Sequence, residues 1–160
     1  MVNLDFLEQS EIFKGLDNDH FEEIQKYCDI KEFRRGDKIF SEGEDAKYLC
    51  IVLEGQVDLR FDMPGNSTSD KNTISSVPQG RAFIWSSLVP PHKIRLSSYC
   101  NSRTCKIITI DASGLKGICE KDTKFGYIMM CNLAGIVGNR FYKLQDEIVN
   151  RRGYETMFNW

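Results

Sequence analysis

Residues 33–60 read FRRGDKIFSEGEDAKYLCIVLEGQVDLR. Phe33, Ile39, Phe40 and the run Leu49-Cys50-Ile51-Val52-Leu53 are strand-like. The breaks between them fall at Arg35-Gly36-Asp37, Glu42-Gly43-Glu44 and Glu54-Gly55. Gln56 to Phe61 then alternates, with Val57, Leu59 and Phe61 on one face. Short strands punctuated by glycine turns at this spacing predict a small β-barrel or sandwich.

Working outward, residues 62–73 (DMPGNSTSDKNT) are polar and contain Pro, Gly and Asn, so they read as an exposed hairpin loop. Strand character resumes at Ile74 to Val77 and again from Leu96 to Ile110, where Ile107-Ile108-Thr109-Ile110 is strongly β-prone. Upstream, Leu4, Phe6, Leu7, Ile12 and Phe13 open the chain helically. A second helical segment starts near Asp17 to Asp19 and carries Phe21, Ile24, Tyr27 and Cys28 at helical spacing.

The last third is helical again. Asp111-Ala112-Ser113 can start a short helix through Leu115 and Ile118, and Asp122 caps a long one reaching about Asn150. On the long helix Met130, Ala134, Val137, Phe141, Leu144 and Ile148 form a heptad-like seam. Phe125, Met129, Leu133 and Ile136 form a second stripe beside it. Two stripes predict two surfaces to bury, one on the β-region and one on another copy of the chain; a single wide core-facing stripe is the alternative. Gly135 and Gly138 cost about 1 kcal/mol each relative to Ala, so they suit close approach better than helix formation. Phe158 and Trp160 are apolar at the end and could dock on the barrel or on a partner.

The chain has 160 residues, enough for one domain with a real core, which we place at 1–150 with a tail at 151–160. Lys plus Arg total 21 against 23 Asp plus Glu, a net charge of -2 that lacks the positive bias driving direct nucleic-acid or anionic-membrane binding. No apolar run approaches the roughly 18 residues of a membrane span. The N-terminus carries acidic residues where a secretory signal would be basic. A soluble, cytoplasmic protein is expected.

Six cysteines stand at 28, 50, 100, 105, 119 and 131. In a reducing compartment most of them read as small core hydrophobes. Cys100 and Cys105 look to share one strand with opposed faces, so no metal site is expected there. No nucleophile elbow, H-E-x-x-H or P-loop is present, and an enzyme is not expected.

The order of helices, glycine-punctuated β-region and long closing helix resembles the cyclic-nucleotide-binding domain, in particular the catabolite activator and fumarate-nitrate regulator superfamily. The residues that carry the resemblance are Phe13-x-Gly15-Leu16, then Phe33-x-x-Gly36-Asp37-x-Ile39-x-x-Glu42-Gly43-Glu44-x-Ala46-x-Tyr48-Leu49, then Ile51-x-x-x-Gly55-x-Val57. It implies a mainly β fold with flanking helices: a double-stranded β-helix (β-roll or jelly roll) with N-terminal helices and a long C-terminal dimerisation helix.

The family holds its ligand with a phosphate-binding cassette, Gly-x-x-Phe-Gly-Glu-x-Ala-Leu, followed by Arg-Ser/Thr-Ala. The Arg neutralises the cyclic phosphate, backbone N–H groups bind its oxygens, and the Glu accepts from the ribose 2′-OH. The similar stretch here is Gly80-Arg81-Ala82-Phe83-Ile84-Trp85-Ser86-Ser87-Leu88, with Arg95-Leu96-Ser97 after it. Gly80, Phe83 and Leu88 are kept, and Arg95 falls at the phosphate Arg. Trp85 stands for the Glu, Ile84 for the Gly and Leu96 for the Ser/Thr. Indole donates but accepts nothing. A buried hydroxyl left unpaired costs about 1–3 kcal/mol, so ordinary cyclic AMP is expected to bind weakly or not at all.

Arg95 is then either an anchor for a phosphate or carboxylate, or a strand-start arginine reaching solvent or pairing with an acid such as Glu54. Ser86, Ser87 and Ser97 are either ligand donors or helix caps. Trp85 is either a stacking platform or a plug, and its apolar neighbours favour the plug. Asn139 and Arg140 fall where the family's closing helix lids the pocket; an interhelical polar pair would look the same.

The resemblance implies a regulatory or sensor module: a small, phosphate-containing anion such as a cyclic nucleotide binds in the roll and moves the closing helix of a homodimer. Two alternatives stand beside it. One is a degenerate, non-binding dimeric scaffold for a partner protein. The other is a haem-type sensor, for which His92 and Cys100 are the available axial ligands and His20 a weaker one. The superfamily's transcription factors continue into a winged helix-turn-helix, whereas only Arg151 to Trp160 follow here, so direct DNA contact is not expected.

Overall fold

The structure is a computed structural model and describes residues 1–158. Helices α1 (Leu4–Gln9) and α2 (Phe21–Gln25) precede eight strands: β1 (Cys28–Arg34), β2 (Lys38–Phe40), β3 (Tyr48–Glu54), β4 (Gln56–Arg60), β5 (Thr73–Pro78), β6 (Ala82–Phe83), β7 (Ser97–Cys100) and β8 (Thr104–Asp111). Helices α3 (Ala112–Lys121) and α4 (Thr123–Phe158) close the chain. The strands form two antiparallel four-stranded sheets in the orders β1-β8-β3-β6 and β2-β7-β4-β5. This is the β-roll with flanking helices expected from the sequence.

The unbroken apolar run of β3 follows from burial on both faces. Leu49 and Ile51 join the core beneath the helices, while Cys50 and Val52 point into the roll. Strand β8 divides likewise, with Ile108 and Ile110 towards the helices and Cys105 and Ile107 towards the roll. Each such side chain contributes roughly 1.5–3 kcal/mol on burial. Gly55 makes the β3–β4 turn at φ +87°, and a Cβ there would lie 2.4 Å from Ser102 Oγ and 2.5 Å from the Thr104 carbonyl. Only glycine fits that turn.

Caps behave as their chemistry dictates at two of the three expected places. Asp111 accepts the Gly114 amide (2.8 Å), and Asp122 accepts the Lys124 and Phe125 amides (both 3.1 Å). At the third, the turn Asn18–His20 leads into α2, but Asp17 makes no side-chain cap.

Two expectations change. Helix α4 does not stop near Asn150: residues 151–158 continue it for two more turns, and Phe158 is exposed. Trp160 lies outside the described residues. Cys100 and Cys105 are not on one strand, because Asn101 to Arg103 turn the chain between β7 and β8. Both thiols therefore enter the same core inside the roll, where burial and then the Cys105 thiol push the Cys100 thiol up to about 11. All six cysteines are free. The 62–73 loop is pinned at both ends: Asp62 accepts from Tyr99 and Ser97, and Asp70 pairs with Arg60 at 2.8 Å.

The stripes of α4 separate as expected for two surfaces. Phe125, Met129, Leu133 and Ile136 are buried on the roll. Met130, Phe141, Leu144 and Ile148 are exposed, with Ala134 also exposed, whereas Val137 departs from the seam and packs half-buried against the core. No helix among the described residues is long and apolar enough to cross a membrane.

Candidate functional site

The site is built on the connection from β5 to β7. After Pro78 the chain reverses at Gly80 (φ +81°) and enters β6, which pairs Ala82 with Ile51 and Phe83 with Cys50. Phe83 is thereby fixed in the roll core. Ile84 follows in the left-handed conformation (φ 58°, ψ 41°) and starts a single 3-10 turn, Trp85–Ser87. A β-branched residue held there costs on the order of 1–3 kcal/mol. The resemblance puts Gly at this position, which removes that cost: the backbone keeps the glycine path with an isoleucine on it.

Beside this turn lies a cavity of about 700 Å³. Ile84, Trp85 and Ser86 form one wall, Ile94, Arg95 and Leu96 a second, and Leu59 with Ile74 to Pro78 of the β4–β5 hairpin a third. Ile136, Asn139 and Arg140 of α4 close the fourth, and the next turns of α4 from Tyr142 to Glu147 border the mouth. The volume is within the range of small-molecule sites.

Of the residues expected from the sequence, Ile84, Trp85, Ser86, Arg95, Leu96, Asn139 and Arg140 line this cavity. Gly80, Phe83, Ser87 and Ser97 do not: they hold the frame. Ser87 Oγ donates to the Ile84 carbonyl (2.8 Å), a cap rather than a free donor. Ser97 Oγ accepts the Glu42 amide (2.9 Å) and donates to Asp62. Trp85 is half-buried and packs against the core beneath the helices, with the cavity open beside it.

The alternative pairing of Arg95 with an acid such as Glu54 does not form: Glu54 accepts from Lys106 at 3.0 Å. Arg95 is exposed at the cavity wall, and among the described residues it makes no ion pair. Arg140 is committed elsewhere: its Nη2 donates to the Ala82 carbonyl, and burial lowers its pKa.

Sequence reasoning missed Glu11, Arg81, Leu59 and Ile136 in the walls. Glu11 accepts from Arg81 (2.6 Å) and from the Ala82 amide (3.0 Å), tying the N-terminal segment to the cassette. Arg81, next to Gly80, is the only one of these the cassette pattern could have pointed to.

The haem ligands considered lie outside the cavity wall. His92 is exposed on its loop with Nδ1 3.1 Å from the Ser87 carbonyl, and Cys100 faces the core inside the roll. His20 sits at the far end of α4, with Nε2 2.9 Å from Asp122. Among the described residues no group of three or more His, Cys, Asp and Glu side chains gathers to hold a metal.

A family model described as "Cyclic nucleotide-binding domain" matches residues 30–122. No curated protein matches the chain. Among solved structures, a candidate cyclic nucleotide-binding protein of Geobacter metallireducens GS-15 is 26% identical with a TM-score of 0.75, over 88% of this chain and 99% of that one. A cyclic nucleotide-binding domain from Methylobacillus flagellatus KT is similar in fold at 20% identity and a TM-score of 0.74, over 92% of this chain and 81% of that one. The Thermus thermophilus Catabolite Activator Protein is similar at 19% identity and a TM-score of 0.68, over 87% of this chain; the match spans 62% of its length.

Proposed function

The chain belongs to the cyclic nucleotide-binding domain family, and from that premise we infer that it is a non-enzymatic regulatory module that binds a small anion in its roll. The observation that carries this reading is the shared wall of the cavity, where unpaired Arg95 and the Trp85 turn stand opposite Asn139 and Arg140 of α4. A ligand seated on Arg95 touches the closing helix directly, and differential affinity for two helix positions is what a binding event needs in order to signal. The exposed seam of α4 from Met130 to Ile148 is the homodimer surface to which the shift is passed.

Calorimetry with cyclic AMP, cyclic GMP, a cyclic dinucleotide and simple organic anions tests the binding half, with Arg95→Ala as the control. Heat that depends on Arg95 supports the reading. No such heat from any of them leaves the other reading, a dimeric scaffold, which the apolar replacements Ile84, Trp85 and Leu96 favour. Sedimentation of Phe141→Glu/Ile148→Glu, both exposed and outside the cavity wall, tests the dimer half: monomers are expected, and an unchanged mass would remove the seam from the account.

A further inference from the structure

On its roll side the cavity wall offers a free cation and no free carboxylate among the described residues. On the donor side stand the unpaired Arg95 guanidinium, the Asn139 amide, the Ser86 hydroxyl and the Trp85 indole N–H. Its carboxylate acceptors are already engaged or remote, which leaves only neutral oxygens such as those of Ser75, Ser86 and Asn139. Both oxygens of Glu11 are taken by Arg81 and the Ala82 amide. Asp146 and Glu147 are exposed at the rim on α4. The rest of the wall, from Leu59, Ile84 and Leu96 to Ile136, is apolar.

A nucleoside brings several donors of its own, the ribose hydroxyl and the exocyclic amine, and each needs an acceptor when buried. A carboxylate brings only acceptors. We propose that the cavity takes a hydroxyl-poor organic monocarboxylate, with its head on Arg95 and an apolar aryl or medium-chain acyl body against Ile84, Trp85 and Ile136. This rests on the reading that the roll binds a small anion, and it names the class of that anion. The near-neutral balance of the wall, with Glu11 neutralising Arg81 and only Arg95 free on the roll side, matches one negative charge on the ligand better than two.

The test uses the full chain carrying Trp160→Phe, so that Trp85 is the only emitting tryptophan, with calorimetry in parallel. Octanoate and 3-phenylpropanoate are titrated against 1-octanol and cyclic AMP. Saturable binding of the carboxylates is expected, with a change in Trp85 emission. Losing a charge-assisted hydrogen bond should weaken it by about 10–100-fold, both in Arg95→Ala and with 1-octanol. Arg95 is exposed, so its replacement leaves the core untouched. Carboxylate binding indifferent to Arg95 overturns the proposal. Arg95-dependent binding of cyclic AMP without carboxylate binding overturns the ligand class and leaves the anion-binding module standing. Binding of neither overturns both.

Discussion

Arg140 on the closing helix donates from Nη2 to the backbone carbonyl of Ala82, the first residue of the strand that enters the cassette. The amide of the same residue is held from the other side by Glu11 (3.0 Å). One buried residue, bonded through its N–H and its C=O, thus joins the N-terminal segment, the cassette and α4. A hydrogen bond from a charged donor contributes roughly 1.5–3 kcal/mol, so Arg140→Ala should lower unfolding stability by about that amount. Glu11→Ala leaves the Ala82 amide without its acceptor and should cost about 1–3 kcal/mol. Because the two share Ala82, the double variant should show a coupling of at least about 0.5 kcal/mol in urea unfolding. Strict additivity would mean that Ala82 does not act as a joint.

Asp58 and Arg60 alternate on β4 with the apolar face, yet both are buried, with side chains 2% and 7% accessible. Their 3.0 Å ion pair is completed by Asp70, Thr73 and Ser76. Arg60→Met leaves the Asp58 carboxylate buried without its cation, which should cost about 3–5 kcal/mol. Arg60→Met/Asp58→Leu removes the uncompensated charge and should recover part of that loss. Denaturant midpoints decide it: a double variant less stable than Arg60→Met would show that the pair is not the source of the cost.

What was legible in the sequence follows from how local each signal is. Strands β3 and β8 announce themselves because both of their faces are buried over Leu49–Val52 and Ile107–Ile110, runs that are apolar but for Thr109. Asp111 and Asp122 cap their helices through contacts two or three residues away. The cassette frame is legible because Gly80, Phe83 and Arg95 stand at family spacings. The roof over Asp58 and Arg60 is not, since a period-two pattern says only which face is apolar and not what covers the other. The turn at Asn101 to Arg103 contains neither Gly nor Pro, so it reads as strand, and the meeting of Cys100 with Cys105 was hidden behind it. The target of Arg140 lies 58 positions away in the chain, and only the tertiary approach of α4 could reveal it.

Asp62 ties the polar 62–73 loop to the sheet. Burial acts to raise its pKa, but the hydroxyls of Ser97 and Tyr99 and the ammonium of Lys38 overcome it and hold the carboxyl at about 2. A carboxylate depressed in the folded state adds stability above its unfolded pKa of about 3.9, and that stability is lost as pH falls towards 2. The side chain is 25% accessible, so after solvent screening the gain is about 1–2 kcal/mol. Asp62→Asn should therefore be less stable than the parent by about that amount at pH 7, with the gap closing between pH 4 and pH 2. Urea unfolding across that window checks it, and a gap that persists at the acid end would exclude the charge as its cause.

The cassette replacements make a gain-of-function prediction. In the family pattern the position of Trp85 carries the Glu that accepts from the ribose 2′-OH, and the position of Leu96 carries a hydroxyl beside the phosphate Arg. Both positions line the cavity, so Trp85→Glu/Leu96→Ser places an acceptor and a donor where a cyclic nucleotide needs them. A hydrogen bond to a charged acceptor is worth about 1.5–3 kcal/mol, which corresponds to roughly 10–100-fold in affinity. The double variant should bind cyclic AMP at least about tenfold more tightly than the parent by calorimetry, and should lose affinity for 3-phenylpropanoate because the new carboxylate repels its head. The 2′-deoxy analogue of cyclic AMP lacks the hydroxyl that Trp85→Glu is meant to serve. It should gain little. An equal gain for the deoxy analogue would show that removing the indole, not adding an acceptor, opened the site.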